Sequence, residues 1–283
     1  MARKRATITD LLNDLTFRTT FEKFKMMAMN RFEYDGLPDG ILPRHIERVL
    51  FDRGYAAFFK DPDMAHMCLE VKQDIDFNVY GDPLWYTAFG FNYNRRLAAE
   101  ECVIIENNLL RLPTRDVVMF YVNKITEAER TMDVNVKANK TPIIFACDDR
   151  TVLSFRQIFR QVDGNEPAVF ADPRLNIESI TAFDTKVKFL GNELMDYKRS
   201  VESELLTYLG INNSPIDKKE RLITDEANSN NQLIDSFFQL QLEARERAVQ
   251  AINEMFGLSV TVKPRQASVE EPVETVEEGD EDA

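Results

Sequence analysis

The chain has 283 residues, 44% of them hydrophobic, so it is long enough to bury the core of one large domain or of two closely joined domains. No stretch approaches the roughly 18–20 uncharged apolar residues of a membrane helix, and the basic start, Met1–Arg5, leads into a polar segment. We therefore expect neither a membrane segment nor an export signal. The net charge of −13 weighs against a nucleic-acid partner, because phosphate contacts need clustered lysine and arginine.

Two helices are predicted for residues 7–54. After a basic arm over residues 1–6, apolar side chains recur at spacings of three and four over residues 7–34, the stripe of an amphipathic helix. A proline opens a predicted short helix over residues 43–53, where the first turn leaves an N–H unbonded, and Gly54 suits the position after its end.

Residues 55–112 are predicted to form a compact β-rich unit. Short apolar runs, such as Phe58–Phe59, Phe77–Tyr80 and Cys102–Ile105, are separated by Asp-Pro, Gly-Asp-Pro and Asn-Asn turn signals. This pattern is typical of several short strands.

Residues 113–183 are predicted to mix helix and strand. A helix opens at Thr114, a candidate N-cap, and ends near Asn139. A short buried strand is predicted at residues 142–147, before a helix at residues 151–161.

The last part of the chain is predicted to contain two helices separated by a loop. Leucine and valine near a heptad period predict a stem helix within residues 184–210, which closes at a glycine. Turn-forming and charged residues predict a long loop over 211–231, and long loops tend to be functional. The segment 232–265 is predicted to hold a helix at residues 233–256 and an alternating strand at 258–263.

The negative charge is concentrated at the C-terminus. Residues 270–282 hold eight acidic residues and no basic one, so the rest of the chain carries a net charge of only −5. Such a segment cannot bury a core, and we expect residues 266–283 to be disordered.

The sequence offers neither a local metal site nor a disulfide framework. Three cysteines, Cys68, Cys102 and Cys147, are far apart in apolar surroundings, which indicates buried free thiols. The two histidines, His45 and His66, belong to no CxxC or HExxH pattern, so we expect no metal and no other cofactor.

Motifs for catalysis are absent from the sequence. Neither GxxxxGK[ST] nor GxGxxG occurs, so we expect any nucleotide-driven motor to be another protein, and GxSxG is missing as well. The acid pairs Asp61 with Asp63 and Glu100 with Glu101 could act in acid–base catalysis, but carboxylates at this density are more often solvated surface. We expect the protein not to be an enzyme.

Several blocks of residues match one known family in order and spacing. The most specific block comprises Leu209-Gly210-Ile211, Lys218-Lys219-Glu220-Arg221, Thr224-Asp225-Glu226 and Ser229-Asn230. Supporting matches are Met1-Ala2-Arg3-Lys4-Arg5, Phe32-Glu33 with Leu37-Pro38, Gly54-Tyr55 with Lys60-Asp61-Pro62, Lys140-Thr141-Pro142, Gly164-Asn165 with Pro167 and Phe170-Ala171, and Ile252-Asn253-Glu254 with Gly257-Leu258. By these residues the chain resembles the portal proteins, also called head–tail connectors or upper collar proteins, of small podophages of the Salas type. The similarity is weakest over residues 64–112 and in the tail.

The resemblance implies an α+β fold with long channel-forming helices and a small SH3-like β-rich wing, assembled as a ring of twelve subunits. The channel wall would comprise helices near 7–34, 114–138 and 185–209, the wing would comprise 55–112 with 142–147, and the crown helix would be 233–256. A helix of about 25 residues rises roughly 37 Å, a sensible length for a channel.

The resemblance also implies a function and partners. The ring would lie at one capsid vertex of the virion, conduct genomic double-stranded DNA during packaging and ejection, and join head to tail. Its implied partners are further copies of itself, double-stranded DNA, a packaging ATPase, the major capsid and scaffolding proteins, the lower collar or tail protein and a packaging RNA, with no membrane. Assembly would take place in the host cytoplasm.

Three groups of cations are the implied site residues. In the family, channel loops oppose back-slipping of DNA, a role that would fall on Lys218, Lys219 and Arg221. The basic arm contacts packaging RNA, which would involve Arg3, Lys4 and Arg5. Rings of lysine line the family's channel, and Lys186, Lys188 and Lys198 are the nearby candidates here. An alignment, however, places Asp184 and Glu193 at the family's lysine positions.

Two other functions stay open on the sequence alone. One is a nucleic-acid-associated scaffold or assembly protein that forms no channel. The other is an enzyme that uses the scattered carboxylates.

Overall fold

The computed structural model describes residues 8–140, 143–146, 181–184, 187–212 and 224–265. In chain order the elements are α1 (Ile8–Met29), β1 (Phe32–Asp35), α2 (Pro43–Arg53), β2 (Tyr55–Asp61), β3 (Ala65–Gln73), β4 (Trp85–Gly90), β5 (Tyr93–Ala98), a 3-10 turn (Ala99–Glu101), β6 (Cys102–Glu106), α3 (Thr114–Lys140), β7 (Ile143–Ala146), β8 (Thr181–Asp184), α4 (Gly191–Tyr208), α5 (Thr224–Phe256) and β9 (Thr261–Pro264). Among these residues, no helix combines the length and the apolar composition that crossing a membrane requires. The predicted α+β class is confirmed.

The chain divides into two compact units. The first comprises residues 1–122 and 203–283, and the second comprises residues 123–202. The β-rich segment 55–112 therefore belongs to one unit with α1, α2 and α5, and does not form a compact unit of its own.

The centre of the first unit is a five-stranded antiparallel sheet in the order β5-β4-β3-β2-β6. Strand β3 pairs with two different strands along its length: Ala65–Leu69 pair with β2, and Glu70–Gln73 pair with β4. The 3-10 turn leads into β6, which returns beside β2. The short strands predicted for this segment are confirmed, and their order fits an SH3-like barrel, but they do not form a separate compact unit. The run Phe77–Tyr80, expected to be a strand, lies instead in the loop between β3 and β4.

Strand β2 is buried on both faces because each face packs into a different core. Successive side chains of a strand point to opposite sides. Ala56 and Phe58 enter the core shared with α2, β6 and α5, whereas Ala57 and Phe59 enter the core inside the barrel. Cys68 belongs to the first core and Cys102 to the second, which confirms that both are buried free thiols. Cys147 lies outside the described residues.

The predicted helix over residues 7–34 is wrong in its last turn. Helix α1 ends at Met29, and residues 32–35 form β1, which pairs with β9 in a two-stranded antiparallel sheet. The reason is tertiary: Phe32 and Tyr34 alternate into the core shared with α5 and pair with a strand more than 220 residues away.

Helix α2 and its termination agree with the prediction. Gly54 adopts φ +87° after the last turn, and its N–H donates to the Leu50 carbonyl over 2.9 Å. A Cβ atom on Gly54 would lie 2.1 Å from the Arg111 carbonyl oxygen, so this position requires glycine for space as well as for conformation.

Helix α3 matches its predicted bounds to within a residue, but Thr114, predicted as the N-cap, is its first helical residue. The Thr114 hydroxyl accepts a hydrogen bond from the Asn107 amide over 2.9 Å. The predicted strand at 142–147 is confirmed as β7, which pairs with β8, an element that the sequence pattern did not indicate. The helix predicted at residues 151–161 lies outside the described residues.

The predicted stem helix within residues 184–210 is shorter than expected, because Asp184 belongs to β8 and α4 begins only at Gly191. Its end is confirmed at Gly210, where φ is +67°. The N–H groups of Gly210 and Ile211 donate to the carbonyls of Thr207 and Leu206, both over 2.9 Å, which is the Schellman arrangement.

The loop predicted over residues 211–231 is wrong at its C-terminal end. Helix α5 already begins at Thr224, where Thr, Asp and Glu follow one another, residue types that favour a first helical turn. Helix α5 ends at Phe256 as predicted. The strand predicted at 258–263 is found as β9, which begins three residues later, at Thr261, and ends at Pro264. The tail, residues 266–283, lies outside the described residues.

In the second unit, α3 and the start of α4 run antiparallel and are joined by polar contacts. The Asn135 amide donates to the Lys188 carbonyl over 2.8 Å and accepts from the Leu190 N–H over 3.0 Å. Further along, Lys198 Nζ lies 2.6 Å from Glu129 Oε1. These contacts fix residues 188–190 against α3.

A buried ion pair joins α2 to α5 in the first unit. Arg245 donates to both carboxylate oxygens of Glu47, over 2.7 and 2.8 Å, and the two side chains are only 1% and 3% exposed. Arg245 also donates to the carbonyl and side-chain oxygens of Asn107 over 3.3 and 3.2 Å. Tyr34 donates to Glu47 over 2.7 Å, so both charges are paired and hydrogen-bonded, as burial demands.

A second buried cation, Arg31, lies beside this pair. Its guanidinium donates to the side chain of Gln241 over 2.6 Å and to the backbone carbonyl of Leu209, and its Nε donates to the Ala28 carbonyl over 2.9 Å. Ala28 and Leu209 lie at the ends of α1 and α4, where carbonyls carry partial negative charge. Burial and the nearby Arg245 lower the pKa of Arg31 to about 9, so Arg31 is protonated at neutral pH.

We predict that Glu47→Gln lowers the free energy of unfolding by about 3–5 kcal/mol, because it leaves two buried guanidinium groups without a carboxylate. Glu33→Gln is the matched control: Glu33 is 45% exposed and lies 3.9 Å from Lys263, and surface pairs contribute about 0–1 kcal/mol. Urea unfolding of the full chain followed by circular dichroism measures both. Equal losses for the two variants would contradict the role given to the buried pair.

Candidate functional site

Of the nine site residues predicted from the sequence, two lie within the described part of the chain, Lys188 and Lys198. The others are Arg3, Lys4, Arg5, Lys186, Lys218, Lys219 and Arg221, and they lie outside it.

Lys188 and Lys198 differ in how available their charges are. Lys198 is 21% exposed, and its ammonium is paired with Glu129 at 2.6 Å. Lys188 is exposed and lies in the segment before α4, where its carbonyl is held by Asn135. Of the two, Lys188 therefore offers the freer cation to a ligand, whereas the charge of Lys198 is neutralised within the subunit.

The exposed surface of α4 is acidic. The helix carries four acidic and two basic residues, and the acids at its start, Glu193 and Asp196, are both exposed. Asp184, the other acid at a family lysine position, lies in β8. A surface of this composition repels a polyanion.

Asp61, one of the carboxylates considered for catalysis, is engaged within the fold. Asp61 Oδ1 accepts the backbone N–H groups of Asp63 and Met64 over 2.9 and 3.2 Å. Its Oδ2 accepts the Tyr93 hydroxyl over 2.6 Å and Arg95 over 3.1 Å. The hydrogen bonds from Tyr93 and from the Asp63 backbone lower the pKa of Asp61. Its carboxylate therefore fixes the β2–β3 turn and is poorly suited to accept a proton.

In the second acid pair, Glu100 with Glu101, the Glu101 carboxylate has a structural role. Glu101 Oε2 accepts the Ala98 N–H over 3.0 Å, at the start of the 3-10 turn. Within the described residues, no cluster of three or more histidine, cysteine or carboxylate side chains has the arrangement of a metal site.

The buried thiols are held in the protonated form. Burial, followed by the Glu47 carboxylate, raises the pKa of Cys68 to about 12, and burial raises the pKa of Cys102 to about 11. Since the thiolate is the nucleophile, neither cysteine is suited to nucleophilic chemistry at neutral pH.

The residues that sequence reasoning missed are the buried cations. On α5, Arg245 lies on the same stripe as Leu242, Val249 and Ile252, at spacings of three and four. A charged residue within an apolar stripe signals a buried charge, and this signal was available in the sequence.

Comparisons with known proteins give one family and several similar solved structures. A model of the family described as Phage Connector (GP10) matches residues 3–269. Among solved structures, the chain is similar to the portal and tail of native bacteriophage P68, with 16% identity, 95% of this chain and 94% of that chain covered, and a TM-score of 0.49. It is also similar to an HK97-family phage portal protein from Corynebacterium diphtheriae (12% identity, 94% and 96% covered, TM-score 0.41). A third similar structure is the neck of a native gene transfer agent particle (12% identity, 91% and 85% covered, TM-score 0.49).

We predict that Asp61→Asn destabilises the protein at pH 7, because an amide nitrogen cannot accept from Tyr93 and Arg95. The folded pKa of Asp61 is lowered, so its stabilisation is complete above the ordinary carboxyl pKa of about 4 and is lost as pH falls through the folded pKa. The difference in melting temperature between wild type and variant should narrow below about pH 4. Asp63→Asn, at an exposed side chain, serves as the control, and a pH-independent difference would contradict the assignment.

Proposed function

Because this chain belongs to the phage connector family, we propose that it is the portal subunit whose copies form a ring at one capsid vertex, conduct genomic double-stranded DNA and join head to tail. The observation that carries the proposal is the family match, which spans residues 3–269 of the 283. The ring would comprise twelve subunits, reside in the virion and assemble in the host cytoplasm. Its further partners would be the packaging ATPase, the capsid and scaffolding proteins and the lower collar or tail protein.

The helices have lengths suited to a channel wall. Helix α3 has 27 residues and α4 has 18, which correspond to roughly 40 and 27 Å of rise. The acidic residues at the start of α4 support a wall that repels DNA, so that the duplex does not adhere while it moves. Lys188, and Lys186 two positions before it in sequence, would supply weak attraction at the edge of that wall. Lys198 would add little because it is paired with Glu129.

The segment between α4 and α5 is the proposed DNA contact. Lys218, Lys219 and Arg221 lie between the Gly210 cap and the start of α5 at Thr224, so both ends of the segment are attached to the first unit. Each cation would meet passing phosphates in contacts that are weak and screened by salt, so DNA is guided without being held tightly.

The first test is assembly and DNA retention. Negative-stain images of the purified chain should show rings with a central hole wide enough for a duplex. The variant Lys218→Ala, Lys219→Ala, Arg221→Ala should form the same rings but retain less packaged DNA in a packaging assay. Lys60→Ala with Lys72→Ala, at exposed positions of the β-rich unit, is the control and should retain DNA normally.

The outcomes separate the candidate functions. Monomers or dimers at micromolar concentration would contradict the portal assignment and favour a scaffold that forms no channel. If rings of the triple variant retain DNA as wild type does, only the assignment of DNA contact to the loop is refuted, and the portal assignment stands. Hydrolase activity that depends on a defined acid pair would favour an enzyme.

The basic arm is proposed to contact packaging RNA. Arg3, Lys4 and Arg5 are adjacent cations, and repetition around a ring would raise their affinity through multivalency. Changing all three to alanine should weaken RNA binding and reduce the dependence of log affinity on log salt by about 2 per bound arm. The variant Arg3→Lys, Lys4→Arg, Arg5→Lys keeps the charge and should bind as wild type does. Filter binding over a salt series measures both, and an unchanged slope for the alanine variant would remove the arm from the interface.

A further inference from the structure

The loop between β3 and β4, residues 74–84, presents large apolar side chains to solvent. Val79 is 94% exposed, Tyr80 is 88% exposed and Ile75 is 85% exposed. A cluster of exposed apolar side chains on one projecting loop is costly in water and marks a contact surface. We refer to residues 74–84 as the β3–β4 loop and to Val79 and Tyr80 as its tip.

The β3–β4 loop is held in one conformation by its own hydrogen bonds. The Asn78 side-chain oxygen accepts the N–H groups of Tyr80 and Asp82, both over 2.9 Å, and the Asn78 N–H donates to the Asp82 carbonyl over 2.9 Å. An antiparallel bridge between Phe77 and Pro83 closes its base. Because the tip is already ordered, burying it against a partner costs little additional conformational entropy.

The loop is also negatively charged. It contains three aspartates, Asp74, Asp76 and Asp82, and no basic residue. Arg96 of β5 lies 2.8 Å from Asp74 and 3.7 Å from Asp76, and the Asp76 side chain remains 58% exposed. A surface that receives the tip should therefore be apolar at its centre and basic at its rim.

A surface with those properties lies elsewhere on the same unit. A hollow of about 410 Å³ between α2 and β3 has apolar walls formed by Val49, Cys68, Leu69, Phe89 and Phe91. We refer to it as the α2–β3 hollow.

The rim of the α2–β3 hollow carries basic side chains, and the charge of its lining glutamate, Glu70, is paired with Arg53. Arg48 lines it together with His45 and Glu70, and Arg44 lies one turn before Arg48 on the same exposed face of α2. Burial and the charges of Arg44 and Arg48 lower the pKa of His45, which is consistent with a positive potential at the rim. His45 and Glu70 provide polar partners for a tyrosine hydroxyl, which needs one when the ring is buried.

The loop and the hollow lie at opposite ends of one hairpin. In the β3–β4 register, Gln73 faces Tyr86 next to the loop, whereas Glu70 faces Phe89 at the hollow, and the hollow extends to Leu69 and Phe91. Gln73 and Leu69 are four positions apart along β3, a distance of roughly 13 Å. Two complementary and distinct surfaces on one subunit satisfy the requirement of a head-to-tail interface, in which each copy contacts the next through different patches.

We propose that the tip of the β3–β4 loop of one subunit inserts into the α2–β3 hollow of the next subunit, with Asp76 facing the arginines of the neighbouring α2. The occupant of the hollow is thus a second copy of this chain, and the contact rests on the proposed ring. It assigns to the β-rich units a direct part in closing the ring.

Site-specific photocrosslinking of the full chain tests this contact. The variant Tyr80→p-benzoylphenylalanine is assembled from a mixture of unlabelled and ¹⁵N-labelled subunits, irradiated, digested and analysed by mass spectrometry. The expected products are mixed-isotope crosslinks from position 80 to peptides containing residues 45–49, 67–70 or 89–91. Leu110→p-benzoylphenylalanine, at another loop position that is 74% exposed, is the control and should not give these products.

Negative-stain images of the same sample distinguish failure of the inserted-tip contact from failure of the proposed portal function. Rings with crosslinks from position 80 to another part of the chain, to a copurifying protein or to nothing would overturn the inserted tip but leave the portal assignment intact. Absence of rings in unmodified protein would instead count against the proposed function.

Charge reversal provides a second readout. Asp76→Arg should lower the yield of the crosslink from position 80 by about two- to fivefold, the effect of one exposed ion pair, and adding Arg48→Asp should restore it. Glu100→Arg, at an exposed acid outside the loop, should leave the yield unchanged. If Asp76→Arg and Glu100→Arg change the crosslink yield equally and Arg48→Asp does not restore it, the proposed contact between Asp76 and the arginines of the neighbouring α2 is contradicted.

Discussion

The first unit depends on the charge balance around the Phe32 ring. Arg245 lies 4.2 Å from the ring centroid and Arg31 lies 5.1 Å from it, so two guanidinium groups share one aromatic partner and one carboxylate, Glu47. In a medium of low polarity this arrangement is stable only when every donor finds an acceptor, and the acceptors come from separate parts of the chain. The ends of α1 and α4, the loop before α3, and the helices α2 and α5 are held in one arrangement by this requirement.

The barrel is joined to that centre through β2. The two faces of β2 pack in different cores, so β2 links the core shared with α2 and α5 to the core inside the barrel. In the second core Phe59 packs beside Tyr93 at a centroid distance of 6.1 Å. Tyr93 in turn donates to Asp61, which fixes the adjacent turn. The five-stranded sheet and the helices α2 and α5 are therefore parts of one packed unit, in agreement with the division of the chain.

Local signals predicted most of the elements, and long-range pairing accounts for the errors. The end of α2 at Gly54 and the end of α4 at Gly210 could be predicted because a glycine with positive φ terminates a helix locally. Strand β1 could not, since its partner β9 is far away in sequence and its residues continue an apparently helical pattern. The buried role of Glu47 could not be distinguished from a solvated one by residue type alone. The site residues assigned by resemblance stay predictions, and the pairing of Lys198 with Glu129 could not be predicted because the two residues are far apart in sequence.

The hydrogen bond from Arg31 to the carbonyl of Leu209 has a mechanical consequence. Leu209 directly precedes the glycine cap from which the chain continues towards Lys218, Lys219 and Arg221. If those side chains contact DNA as proposed, a pull on them would be transmitted at one end of the segment to the backbone at Leu209, whose carbonyl accepts a hydrogen bond from a guanidinium packed against the Phe32 ring. That end of the segment would thus be fastened to the buried charge cluster that also holds α1, α2 and α5 together, so the core of the first unit would bear the load.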